Sequence, residues 1–389
     1  MSKKIATRMQ GISPFYVMEL LQRAKQLEQQ GRDIIHMEIG EPDFPTPAGI
    51  VDAGIKSIQT GYAKYTPAAG LPALRECIAR YYLDNYQVKV SAQRIFITPG
   101  ASGAFLLALG VTLNEGESVL LADPSYPCNS NFIKLFGGIP SFVPVSEKSD
   151  YHLTAELIGQ NWTENCKAAV IASPSNPTGT MLSDDGLRAA INAVNQNQGY
   201  FLSDEIYHGL VYDKFAATAL KFSDEVFVIN SFSKYFAMTG WRIGWLVVPE
   251  AFIEPVEKLA QNIFISTSTH SQAAALEAFT HTNLAELDRR KMEFKQRRDY
   301  LYTKLLEIGF KIRAKPEGAF YIYADCSHFT QDSFLFAKDL LEEAGVAITP
   351  GKDFGQHQAN IHVRFAYTTS LERLEEGVAR IERYIERNK

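Results

Sequence analysis

Ser231-Phe232-Ser233-Lys234-Tyr235-Phe236-Ala237-Met238-Thr239-Gly240-Trp241-Arg242-Ile243-Gly244-Trp245 lies between two apolar runs, 226–229 and 243–248, each of buried-strand length. One lysine sits in a loop with two serines and aromatic neighbours, and an arginine follows eight residues later. An amine held against apolar groups loses basicity, as a Schiff-base lysine requires. Two hydroxyls and a guanidinium make a receptor for a phosphate dianion. An aldehyde carrying a phosphate would satisfy both halves. Alone, the stretch also reads as a serine-rich turn with a solvated lysine, so the rest of the chain has to decide.

The 389 residues are enough for two domains with substantial cores. Composition is that of an ordinary globular chain, 46% apolar and 21% charged. A net charge of −5 supplies no basic field for nucleic acid or an anionic membrane. Cys77, Cys128, Cys166 and Cys326 are scattered without a CxxC pair, so we expect a reduced, cytoplasmic setting and no metal site. No apolar run is long enough for a membrane span, and residues 1–11 lack the apolar core of a secretory signal.

Along the chain, Ser13-Pro14 has the form of a helix start, and Val17, Leu20, Leu21, Ala24 and Leu27 follow at helical spacing up to Gly31. A short strand is predicted over 34–39. The Pro/Gly-rich stretch 40–47 cannot be helix interior and reads as a loop, a lid or a domain crossing. Strand-like runs follow at 94–98, 118–123, 168–173, 200–204, 226–231 and 243–248, with helical runs such as 104–113 and 184–195 between them. That alternation predicts an α/β fold with a mainly parallel sheet covered on both faces. Beyond Glu250, helices at 271–279 and about 285–306 lead into strands at 320–324 and 362–367 and helices at 333–343 and 371–387. This predicts a smaller α/β domain behind a long helix, with the N-terminal segment packed on it.

Open parallel sheets bind ligands beyond the carboxyl ends of their strands. Five strand ends here carry unusual residues. After Thr98 comes the small-residue loop Pro99-Gly100-Ala101-Ser102-Gly103, opening a helix and suited to phosphate. Tyr126 follows the next strand and could stack on a flat ring. Then come Ser175-Asn176-Pro177-Thr178-Gly179, Asp204-Glu205-Ile206-Tyr207 and the Ser231/Lys234 loop. Each alone is compatible with ordinary turn or cap chemistry; five with one polarity along the sheet are not easily put down to turns.

With these residues in place, the chain resembles the aspartate aminotransferase superfamily, the fold type I, class I aminotransferases that use pyridoxal 5′-phosphate. The resemblance runs from Gly40 to Arg364. It is carried most specifically by 173–179, 204–207 and 231–242. It implies a seven-stranded, mainly parallel sheet sandwiched by helices, plus the smaller α/β domain. The implied division is an N-terminal segment (1–47) packing with the small domain, a large cofactor-binding domain (48–280) and a small C-terminal domain (281–389).

By the same resemblance, Lys234 is the lysine that captures the cofactor aldehyde and shuttles the proton. Asp204 pairs with the pyridinium nitrogen, and Tyr207 and Asn176 donate to the ring's phenolic oxygen. Tyr126 stacks on the ring. Ser231, Ser233, Arg242 and the Ala101-Ser102-Gly103 backbone hold the phosphate. Tyr65 reaches the phosphate of a neighbouring subunit, making the active site the property of a homodimer. Arg364 grips the substrate α-carboxylate, assisted by Asn176 and by the backbone at Gly40; without the family, Arg364 reads as an exposed edge-strand arginine.

The implied reaction moves an α-amino group from an amino acid to a 2-oxo acid with ping-pong kinetics. Relatives specific for aspartate often place a lysine where Ser102 stands and a tryptophan where Tyr126 stands. A neutral, hydrophobic, aromatic or broad donor range is therefore expected. The alternatives are strict aspartate specificity and β-elimination by a carbon–sulfur lyase on the same scaffold. A regulator with a DNA-binding helix-turn-helix would need extra N-terminal length and a basic surface.

Overall fold

The computed structural model describes residues 5–12, 15–61 and 63–388. The Ser13-Pro14 helix start lies outside the described residues. The first long helix, α1 (Tyr16–Gln29), ends before Gly31, and β1 (Ile35–His36) is shorter than the strand expected over 34–39. The helices α2 (Ala48–Gln59) and α3 (Pro72–Tyr86) precede the first strand of the main sheet, β2 (Ile95–Thr98).

The alternation then runs α4 (Gly100–Thr112), β3 (Ser118–Asp123), α5 (Cys128–Leu135), β4 (Ile139–Pro144), α6 (Ala155–Asn161), β5 (Cys166–Ala172), α7 (Asp184–Gln196), β6 (Tyr200–Asp204), β7 (Val226–Ser231) and β8 (Gly244–Val247). These seven strands form one sheet in the order β2-β8-β7-β6-β5-β3-β4, with β8 antiparallel to both neighbours and the other pairings parallel. The mainly parallel seven-stranded sheet is as expected.

Successive strand residues enter opposite cores, as the pleat dictates. Ile95, Leu120, Phe201, Val228 and Trp245 join α3, α7 and α9 (Thr269–Glu277, after α8, Ile253–Ile263) on one face. Phe96, Val119, Leu121, Leu202, Phe227 and Leu246 join α4 and α8 on the other. With both faces covered, the strands read as unbroken apolar runs. β4 has no counterpart among the strands predicted above: it carries Pro140 and Pro144 and is half exposed. Proline is tolerated there because β4 is the edge of the sheet.

Beyond the sheet, α10 (His281–Ile308) ends at Gly309, whose φ of +113° suits the left-handed cap. The remaining elements are β9 (Tyr321–Asp325), α11 (Ser333–Asp339), β10 (Val346–Ala347), β11 (Thr349–Pro350), β12 (His362–Ala366) and α12 (Leu371–Arg387). A second sheet has the order β11-β12-β9, and β1 pairs in parallel with β10. A separate core gathers Leu20, Ala24 and Leu27 of α1 and Ile35 of β1 with Leu301, Phe310, Phe365 and Ile381. The N-terminal segment thus packs on the C-terminal elements. No helix among the described residues is long and apolar enough to cross a membrane.

Candidate active site

The carboxyl ends of β2, β3, β5, β6 and β7 face β9, β11, β12 and α1 across a cavity of about 330 Å³. One end of it is built for an anion. Gly100 opens α4 at φ +69°, and a Cβ there would come within 2.5 Å of Arg242 Nη2. Arg242, itself at φ +52°, is steadied by Nη1 donating to Thr239 O at 3.1 Å. Ser231 Oγ lies 2.9 Å from Ser233 Oγ and accepts from the Ser233 N–H at 3.0 Å. Helix N-terminus, guanidinium and two hydroxyls therefore face the same space.

At the buried end, Asp204 terminates β6 and is 4% exposed. Burial raises its carboxyl to about 7, against the Ile206 N–H that donates to Oδ1 at 3.3 Å and the charge of Lys234. Tyr207 and Tyr321 bring their hydroxyls within 2.9 Å of each other.

Lys234 Nζ donates to Gly40 O at 2.7 Å, with the faces of Tyr207 and Phe320 within 6 Å. Burial lowers this amine to about 8. Arg364 and Arg242 act in the same direction as burial, while Glu41 and Asp204 oppose it. Arg364 is 5% exposed, on β12. Its Nη1 donates to Asn176 Oδ1 at 2.9 Å and its Nη2 to Glu38 O at 2.7 Å, and the guanidinium lies 4.2 Å from the centre of the Tyr321 ring. Its Nε is buried without a partner. The surface-arginine reading is thereby excluded.

Every candidate residue borders this cavity except Gly103 and Tyr65. Gly103 is buried within α4, and a Cβ there would meet Pro99 Cδ at 2.7 Å; packing explains this glycine, and its backbone does not border the cavity. Tyr65 is 80% exposed and away from the cavity of its own chain.

Other bordering residues were not anticipated. In the sequence, Tyr321 is distinguished only as part of a strand, and Thr349, whose hydroxyl lies 3.3 Å from Arg364 Nη2, has no polar cluster around it. Val17, Met18 and Leu21 of α1 form an apolar wall with Phe354. The helical stripe of α1 therefore divides, with Leu20, Ala24 and Leu27 facing the core and its neighbours facing the cavity. Asp353 fixes that wall by accepting the Tyr16 and Val17 N–H groups, each at 2.7 Å.

Comparison with known proteins gives the family. The family model for aminotransferase class I and II matches residues 32–381. The chain is 38% identical to a (5-formylfuran-3-yl)methyl phosphate transaminase of Methanocaldococcus jannaschii, over 98% of this chain and 99% of the other. It is 36% identical to a valine–pyruvate aminotransferase of Mycobacterium tuberculosis, over 98% of each. Among solved structures, the aspartate aminotransferase of Thermus thermophilus with maleate superposes at a TM-score of 0.92 and 31% identity, over 98% of this chain and 100% of the other.

Proposed function

The chain belongs to the class I and II aminotransferases and is a transaminase, and on that premise we propose that its cavity binds pyridoxal 5′-phosphate and passes an amino group from an amino acid to a 2-oxo acid. The observation that carries this reading is Lys234, the one buried amine of lowered basicity among the described residues, set between the Ser231/Ser233/Arg242 cluster and the Arg364 guanidinium. When bound, the cofactor supplies an aldehyde for the amino group and a ring that accepts electrons.

The chain's own residues divide the remaining tasks. Ser231, Ser233, Arg242 and the start of α4 hold the phosphate; the close approach of Arg242 to Gly100 leaves no room for a side chain there, which supports this assignment. Asp204 would pair with the ring nitrogen, Tyr126 would stack on the ring, and Tyr207 and Asn176 would donate to its oxygen. Lys234, near neutral, takes the proton from the substrate α-carbon and returns it elsewhere. Arg364 has its Nε–H and the second Nη1 hydrogen left to grip the α-carboxylate, since Nη2 already donates to Glu38 O and Thr349 Oγ1; a planar fork suits the task.

We assign the donor to the neutral, hydrophobic, aromatic or broad class. Among the described residues, the cationic side chains bordering the cavity are Lys234, Arg242 and Arg364, each already given a role. Ser102 carries no charge, and the α1 wall with Phe354 is apolar. The relatives named above act on different substrates by their names, so family membership alone does not choose. For the assembly we propose a homodimer in which exposed Tyr65 completes the neighbour's phosphate site. We keep the division 1–47, 48–280 and 281–389 as the working domain plan.

Lys234→Ala tests the core of the reading: cofactor absorbance, borohydride labelling of the peptide containing residue 234, and turnover should all disappear. Normal transamination by that variant would overturn it. Ranking kcat/KM for aspartate, valine and phenylalanine tests the donor class, and a clear lead for aspartate would reject our assignment.

A further inference from the structure

Glu205 follows Asp204 directly, is 1% exposed, and has no part in the roles assigned above. Its Oε1 accepts three hydrogen bonds, from Ser203 Oγ at 3.0 Å, Thr218 Oγ1 at 3.1 Å and Ala219 N–H at 2.8 Å. Its Oε2 lies 3.4 Å from His208 Nδ1, and neither of these buried atoms has a hydrogen-bond partner in this structure.

The imidazole's tautomer settles what kind of contact this is. His208 Nε2 lies 2.9 Å from Ser173 O. A carbonyl oxygen can only accept, so Nε2 carries a hydrogen, and in the neutral ring Nδ1 is then bare. A bare nitrogen facing a carboxylate would leave two acceptors opposed in a buried site. A protonated Oε2 resolves the clash by donating to Nδ1. Burial acts the same way on both groups: it raises Glu205 to about 7 and lowers His208 to about 4, placing the shared proton on the carboxyl. The other titratable groups that feel Glu205 are Asp204, which burial and Glu205 push up while the Ile206 N–H and the Lys234 charge oppose them, and the phenols of Tyr81, Tyr82 and Tyr86 on α3; the phenols stay neutral in this range.

We propose that Glu205 is a positioning residue for Asp204: it stays a neutral acid, donating Oε2–H to His208 Nδ1, so that Asp204 is the one ionised carboxyl at the buried end of the cavity. Two adjacent buried carboxylates oppose each other's ionisation. A charged Glu205 would push Asp204 toward its neutral form, and a neutral Asp204 cannot hold a protonated ring nitrogen. The consequence for the ring rests on the proposed role of Asp204; the protonation of Glu205 does not.

Glu205→Gln is the decisive variant. Its amide oxygen can accept the same three donors, and its N–H can donate to His208. Infrared spectra of the full-length protein near neutral pH should contain a protonated-carboxyl C=O band that is lost in Glu205→Gln and kept in Asp204→Asn. The band should shift in His208→Phe, where its acceptor is gone. The pH midpoint of the bound cofactor's absorbance should be the same in Glu205→Gln as in the wild type. Absence of the band, an unmoved band in His208→Phe, or a midpoint displaced by about one unit (a tenfold change) in Glu205→Gln would each overturn the proposal. If no cofactor spectrum develops in any variant, the cofactor reading fails, and the carboxyl band still decides the state of Glu205.

Discussion

Arg364→Lys isolates what a planar fork contributes beyond positive charge. In the resting site, three guanidinium hydrogens are already used, on Asn176 Oδ1, Glu38 O and Thr349 Oγ1, and Nε is buried without a partner. A substrate carboxylate would take the remaining hydrogens in pairs. Lysine keeps the charge but offers one ammonium, so one charge-assisted hydrogen bond to the carboxylate is lost. Such a bond contributes about 1.5–3 kcal/mol, or roughly 10- to 150-fold in kcat/KM. The loss should be similar for every donor, because all share the α-carboxylate, and should leave the cofactor absorbance unchanged. Steady-state kinetics with three donors of different side chain, alongside the absorbance spectrum, is the assay. A fall of less than about threefold, or one confined to a single donor, would refute the bidentate assignment, since neither fits the loss of a charged hydrogen bond of that size.

Three further outcomes are expected. In cofactor-free protein, aldehyde capture by Lys234 should rise with pH through a midpoint of about 8, where burial has placed this amine; a midpoint at the ordinary lysine value of 10.5 would contradict the site's electrostatics. His36, held by Glu38 Oε1 at 2.7 Å and Glu28 Oε1 at 3.0 Å, has its pKa raised from 6.5 to about 9, chiefly by the hydrogen bond to Glu38. The folded state then binds the extra proton, so this contribution is full below about 6.5 and is lost as pH rises through about 9; wild-type Tm should fall relative to His36→Gln across that window, and parallel curves would count against the ion pair. Gly40→Ala would drive a methyl into Tyr321 Oη, costing about 1–3 kcal/mol of stability in denaturant titration, as overpacking does. Adding Tyr321→Phe should recover much of that loss, and no recovery would show that the clash lies elsewhere.

The sheet was readable because strands buried on both faces must be apolar at every position, which makes 118–123 and 226–231 stand out. The polar residues at their ends were readable for the opposite reason: Asp204 and Lys234 interrupt that apolarity where a parallel sheet places its ligands. What escaped notice depends on distance along the chain. Tyr321 and Thr349 reach the cavity from the second sheet, and no local pattern shows which residue of a short strand will point at a site built elsewhere. Asp353 caps α1 across more than three hundred residues, in a place where a local side chain would usually be sought. β4 was obscured by its own prolines, and the division of α1 between core and cavity needs both partners present before it can be seen.

Two carbonyls of one short stretch, at Glu38 and Gly40, receive the guanidinium of Arg364 and the amine of Lys234. Lys234 follows β7 of the large sheet and Arg364 lies on β12 of the second sheet, and this N-terminal thread supplies an acceptor to each. A chimaera that borrowed its C-terminal half from a relative, to import a new substrate range, would separate Arg364 from the carbonyl it was fitted to. Residues 35–41 would have to travel with the graft, or the transplanted clamp would meet a foreign seam.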